Sequence, residues 1–160
     1  MRQRLQGRTG LTFMELVLAM AILSVLAAVT MPLSEIAVKR GKEMELRRAL
    51  REIRSAIDEY NADWNRAVRE QRHIPAIDET GYPESLEDLV SGIDWGGLYP
   101  FERKYLRRIP RDPFDRWDDG WGLRAYGDPH DSTVYGGEDV YDVYSQSDGI
   151  ALDGTPYNTW

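Results

Sequence analysis

The chain has 160 residues, a net charge of −7, 42% hydrophobic residues and no cysteine. That length suits one small domain rather than two. The acidic balance speaks against nucleic acid as a main partner, because phosphate binding needs a basic face. Without cysteine there is no disulfide, thiolate metal site or cysteine nucleophile. Five Trp, nine Tyr and three Phe argue against a disordered chain.

The first ten residues, Met1–Gly10, carry Arg2, Arg4 and Arg8 and no acid, and Leu16–Ser34 is a run of 19 residues without a charge. At ~1.5 Å per helical residue such a run spans about 28 Å, close to the ~30 Å hydrocarbon core of a bilayer. Three readings stand side by side: a simple membrane anchor, a secretory signal peptide with Ala27-Ala28 as its cleavage site, and a more specialised segment. The apolar run continues past those alanines, and Glu15 lies at its mouth. A carboxylate at such a position is costly and usually functional, with an interfacial, snorkelling glutamate as the plainer alternative. Pro32 lacks an N–H and loosens a helix. Lys and Arg tie at three on each flank, so charge alone gives no orientation.

From Glu35 onward, apolar residues fall at Leu46, Leu50, Ile53, Ile57, Tyr60, Trp64 and Val68, in steps of 4, 3, 4, 3, 4 and 4. That is helical spacing with one apolar face, opposite charges occupying the other. An amphipathic helix packed on a sheet is expected, rather than a free coiled coil, with Gly41 marking a bend. Joined to the apolar run, it predicts one helix from about Leu11 to about Arg69, its first third transmembrane.

Residues 73–97 read as loop, with a turn at Gly81-Tyr82-Pro83, where Tyr82 or Pro83 serves packing, and one or two helical turns over Ser85–Val90. Strands are expected at Leu123–Tyr126 and Val140–Tyr144, with a third at Ser132–Tyr135. Turns sit at Gly120, Gly127-Asp128-Pro129 and Gly136-Gly137. The fold class is therefore α+β, a long N-terminal helix under a small antiparallel sheet. From Asp112 to Trp160 there are eleven acids against two bases, Arg116 and Arg124, a local charge of −9. Asp115–Gly120 fails the EF-hand pattern because Trp117 stands at a ligand position. No hydrolase, metalloprotease, P-loop or dinucleotide motif is present, and the only imidazoles are His73 and His130, the latter read as an exposed turn residue with a metal ligand as the alternative. Catalysis is not expected.

Gly10-Leu11-Thr12-Phe13-Met14-Glu15-Leu16 resembles the processing site of type IV prepilins and type II secretion pseudopilins. Leu11, where that family usually has Phe, is a conservative departure. The resemblance implies a leader, Met1–Gly10, removed after Gly10 by a prepilin peptidase, and methylation of the new N-terminus at Leu11. Glu15 is then the fifth mature residue, expected to neutralise the amine of a neighbouring subunit, and Pro32 falls at the family's helix-loosening proline. The second half is similar to the major pseudopilin of type II secretion, the general secretion pathway G type. Gly81-Tyr82-Pro83, Tyr105–Phe114 and Tyr141–Gly149 occur in the family's order, ending at Trp160.

This similarity implies a pilin-like fold. Its parts are a leader at 1–10, a membrane and assembly helix at 11–34, an amphipathic continuation at 35–72, and a variable loop and acidic sheet region at 73–160. It implies a single-pass protein of the bacterial inner membrane with a periplasmic head. Such a subunit polymerises into a helical filament, with a platform protein, an assembly ATPase and minor pseudopilins as partners and no nucleic acid. It also implies calcium in the C-terminal loop, with Asp148 at the family's Asp-Gly and Asp153 as the nearest later acid. Here the Ser145–Gly149 run is one residue shorter than usual and the paired acids before Trp160 are missing. Two other readings stay open: a type IV pilin or minor pseudopilin of a surface filament, and a membrane-anchored binding domain without assembly.

Overall fold

The computed structural model describes residues 10, 12–77, 79–115 and 119–160, and the side chains of residues 29–33 lie outside that description. In chain order it forms helix α1 (Phe13–Arg69), a short helix α2 (Asp88–Ser91), strands β1 (Trp121–Arg124) and β2 (Asp142–Ser145), and a 3-10 turn at Tyr157–Thr159. The chain is α+β, as expected. It divides into two compact units, one ending at Lys39 and the other running from Arg40 to Trp160.

The single helix expected from about Leu11 to about Arg69 is met over Phe13–Arg69, and it runs unbroken through Pro32 and Gly41. Among the described residues, no helix is long and apolar enough to cross a membrane. The expected transmembrane first third is therefore not met as a span. The described apolar side chains from Phe13 stop at Ala28, Glu15 lies among them, and charge returns at Glu35. The rest of the apolar run, Val29–Leu33, falls on side chains outside the description.

The second unit is built on the predicted stripe. Leu46, Leu50, Ile53 and Ile57 are at most 2% exposed, and Tyr60 and Trp64 pack against the same core. Facing them are Leu89 of α2, Trp95, Leu106, Trp121, Val140, Val143 and Tyr157. Each large side chain taken out of water contributes roughly 1.5–3 kcal/mol. That packing, more than helix propensity, fixes this part of α1. The helix closes with Arg66 and Arg69 in its last turn, where the dipole favours cations. Gln71 then adopts a left-handed φ of 57°. The N–H groups of Gln71 and Arg72 reach back to the carbonyls of Val68 and Ala67, at 3.1 and 2.9 Å, satisfying acceptors that a helix end leaves open.

β1 and β2 pair antiparallel, Trp121 opposite Ser145 and Arg124 opposite Asp142. The first strand starts two residues earlier than expected and stops before Ala125. The N–H groups of Ala125 and Tyr126 go to the carboxylates of Asp128 and Asp139, both at 2.8 Å, so side chains replace the ladder there. The expected third strand, Ser132–Tyr135, is absent. The Ser132 hydroxyl donates to the Val134 carbonyl at 2.8 Å and accepts the Val134 N–H at 3.1 Å. That curls the segment on itself, and Val134 is left 75% exposed. Gly122 matters to the pair because a Cβ there would stand 2.3 Å from the Tyr144 ring opposite.

Candidate assembly site and C-terminal segment

Two regions hold the residues singled out in the sequence. The first is the start of α1. Gly10 is exposed and surrounded by open space. Leu11 and the leader residues 1–9 lie outside the described residues. Thr12 is the N-cap of α1: its Oγ1 accepts the Glu15 N–H at 3.3 Å, and its carbonyl accepts the Leu16 N–H at 3.1 Å. Thr12-Phe13-Met14-Glu15 therefore has the Thr-x-x-Glu spacing of a capping box. Glu15 sits in the first turn, where the helix dipole favours a negative charge.

Thr12 escaped the sequence reading, although that spacing was legible. Beyond it, ten large apolar side chains from Phe13 to Leu26 are 45–79% exposed. At 100° per residue they cover every side of the helix. A helix apolar all round is ordinarily buried in a core or a bilayer. The one hydroxyl in this stretch, Ser24, donates to the Met20 carbonyl at 2.8 Å and so needs no outside partner. Pro32 lies within α1 and contributes no backbone donor there.

The second region follows β2. Asp148 is exposed, and no hydrogen bond engages its carboxylate among the described residues. Asp153 is exposed but occupied. Its Oδ1 accepts the Thr155 hydroxyl at 2.7 Å and the Thr155 N–H at 3.0 Å, and its Oδ2 faces the Arg47 guanidinium at 3.4 Å. The Thr155 hydroxyl first, then the Thr155 N–H and Arg47, hold this carboxyl below its ordinary value. The Gly149, Ala151 and Thr155 carbonyls accept N–H groups of Tyr157, Gly154 and Ala151 at 3.0, 3.0 and 2.8 Å. Calcium takes six to eight oxygen ligands. Among the described residues no three acidic or histidine side chains converge on one point. Of the two expected ligands, Asp153 already faces a cation, Arg47.

What fastens the segment comes from α1. Glu43 is 8% exposed and its Oε1 accepts both the Leu152 N–H, at 2.7 Å, and the Tyr157 hydroxyl, at 3.0 Å. Burial first, then Glu43, push the Tyr157 phenol from 10.0 up to about 12. The Tyr157 ring stacks on Phe114 at 4.1 Å and meets Trp160 edge-on at 5.2 Å, and Arg47 lies over Trp160 at 4.1 Å. Nothing in the local sequence around Glu43 sets it apart from the other acids of an amphipathic helix, which is why it was missed.

The two imidazoles sit in different settings. His73 Nε2 lies 2.8 and 3.0 Å from the two Glu79 oxygens. Glu79 also accepts the Trp64 indole N–H at 2.9 Å and the Ala76 N–H at 3.0 Å. Burial works against the Glu79 charge, but these bonds prevail and hold the carboxyl below 4.5. His130 is exposed in its turn. Comparison with protein-family models, curated proteins and solved structures finds no match for this chain.

Proposed function

We propose that this chain is a structural, non-enzymatic pseudopilin that polymerises through the start of α1 into the periplasmic filament of a type II protein secretion machine. The observation that carries the reading is the belt of exposed apolar side chains from Phe13 to Leu26 around every side of a helix. Such a belt needs cover, first from lipid and then from the same belt on neighbouring copies, packed by dispersion rather than by further exclusion of water. In this account a prepilin peptidase cuts after Gly10. The new amine on Leu11 then stands four residues from Glu15. Glu15, alone among the acids in lying at the head of the belt, neutralises the amine of the adjacent copy and sets the axial register. The capping of α1 by Thr12 supports this placement, because it starts the helix immediately after the cut and presents Glu15 in its first turn. A platform protein and an assembly ATPase lift subunits from the inner membrane, with minor pseudopilins beginning the filament.

The deciding experiment is the mass of the N-terminal peptide of protein purified from membranes. A chain beginning at methylated Leu11 is the expected result. An intact Met1, or a cut after Ala28, would overturn the proposal. Given processing, Glu15→Ala is expected to abolish filaments while leaving the cut unchanged.

A further inference from the structure

The segment after β2 ends on cations that the protein itself supplies. Arg54, on α1, donates from Nε to Asp142 Oδ1 at 2.7 Å. Its Nη2 donates to Asp142 Oδ2 at 3.4 Å and to the carbonyls of Val143 and Trp160, both at 3.0 Å. Arg124, on β1, donates from Nη1 to the same Asp142 Oδ2 at 3.3 Å, from Nη2 to the Asn158 carbonyl at 3.4 Å, and from Nε to the Ser132 carbonyl at 2.8 Å. The Arg124 side chain is only 7% exposed and lies 4.1 Å over the Tyr144 ring. One carboxylate and four carbonyls from three stretches of chain thus converge on two guanidinium groups.

We infer that Arg54 and Arg124 do in this chain what a bound divalent cation would do, fixing the backbone after the last strand, and that Glu43 completes the fastening without metal. Carboxylate and carbonyl oxygens are the ligands of a hard divalent cation. A guanidinium meets the same oxygens with directional N–H donors and cannot be deprotonated or chelated away. The site already holds two positive charges on one carboxylate, so a third cation is repelled from it. At the far end of the segment the polarity is reversed: the loop offers Glu43 donors, the Leu152 N–H and the Tyr157 hydroxyl. A cation requires acceptors at such a point. Asp153 facing Arg47 follows the same plan. The inference concerns the C-terminal segment alone and holds whether or not the chain assembles.

The test uses the full-length protein in detergent, with calcium chloride or with EGTA. It reads the melting temperature and the hydrogen exchange of the Leu152 and Tyr157 amides. The two conditions are expected to agree within about 1 °C, with equal exchange. Arg54→Met is the informative variant. Its side chain is 39% exposed, so the protein tolerates its loss, whereas replacing Arg124 strikes the core. Arg54→Met is expected to lower the melting temperature by about 4–8 °C and to speed exchange at both amides about tenfold or more. The inference is overturned if EGTA lowers the wild-type melting temperature by more than about 3 °C and calcium restores it. It is overturned equally if Arg54→Met melts and exchanges like the wild type.

Discussion

Tyr157→Phe removes a single oxygen from the place where the C-terminal segment meets α1. The ring is 1% exposed, and its stacking on Phe114 at 4.1 Å and its edge contact with Trp160 at 5.2 Å survive the change. The bond lost is the 3.0 Å hydroxyl donation to Glu43. A hydrogen bond to a charged group contributes about 1.5–3 kcal/mol, and the remaining partner stays buried. Glu43 keeps the Leu152 N–H at 2.7 Å, so the lower half of that range, about 2 kcal/mol, is expected. At about 4 °C per kcal/mol for a domain of this size, the melting temperature falls by about 8 °C. Urea unfolding gives the free energy directly, and the same measurement on Glu43→Gln and on the double variant isolates the pair, with an expected coupling of about 1 kcal/mol or more. The pH dependence has a definite sign. The folded phenol is raised from 10.0 to about 12, so its contribution is complete below pH 10 and is lost as pH rises through 10 towards 12. Tyr157→Phe lacks that loss. A variant within about 0.3 kcal/mol of wild type, or one retaining the alkaline loss at this site, would refute the reasoning.

Other outcomes follow from single contacts. Gly122→Ala places a Cβ 2.3 Å from the Tyr144 ring and is expected to cost about 1–3 kcal/mol in urea unfolding, with Gly122→Ala/Tyr144→Ala recovering part of it. Thr12→Ala removes the cap on the Glu15 N–H. It should weaken the first turn by about 1 kcal/mol, read as faster exchange at the Glu15 amide. Glu79 is held below 4.5, so its stabilisation is complete above that pH and disappears as pH falls through the lowered value. Trp64, whose indole donates to Glu79 at 2.9 Å, should report this as a fluorescence change that Glu79→Gln abolishes.

The parts of the fold that obey a repeat were legible in the sequence. The stripe from Leu46 to Tyr60 is buried as its spacing required, because helical periodicity is a local property. Ser85–Val90 became α2 one turn late, and both main strands lie within two or three residues of where their composition put them. Ser132–Tyr135 misled because its β-forming residues were overruled by one serine hydroxyl bonding within its own segment. Glu43 and Arg54 were out of reach for another reason. Their partners, Leu152 and Asp142, lie 109 and 88 residues away. A charged residue on an amphipathic helix carries no local sign of so distant a partner. Thr12 was legible by a capping pattern, whereas Gly10 and Glu15 were singled out in the same seven residues by a motif alone.

The Glu43 contacts with Leu152 and Tyr157 also bear on the order of events as the protein is made. The stripe on α1 is complete once Tyr60 has been synthesised, but Val140, Val143 and Tyr157 that cover it come about 80 residues or more later. Contacts so far apart are closed late and against a larger loss of chain entropy than local ones. Leu89, Trp95, Leu106 and Trp121 arrive sooner, but until the last stretch emerges the apolar face of the amphipathic half of α1 stays partly uncovered and open to wrong partners. Folding of the head is therefore expected to be gated by its final twenty residues. A chain stalled short of Tyr157 would carry a formed helix without the segment that seals it.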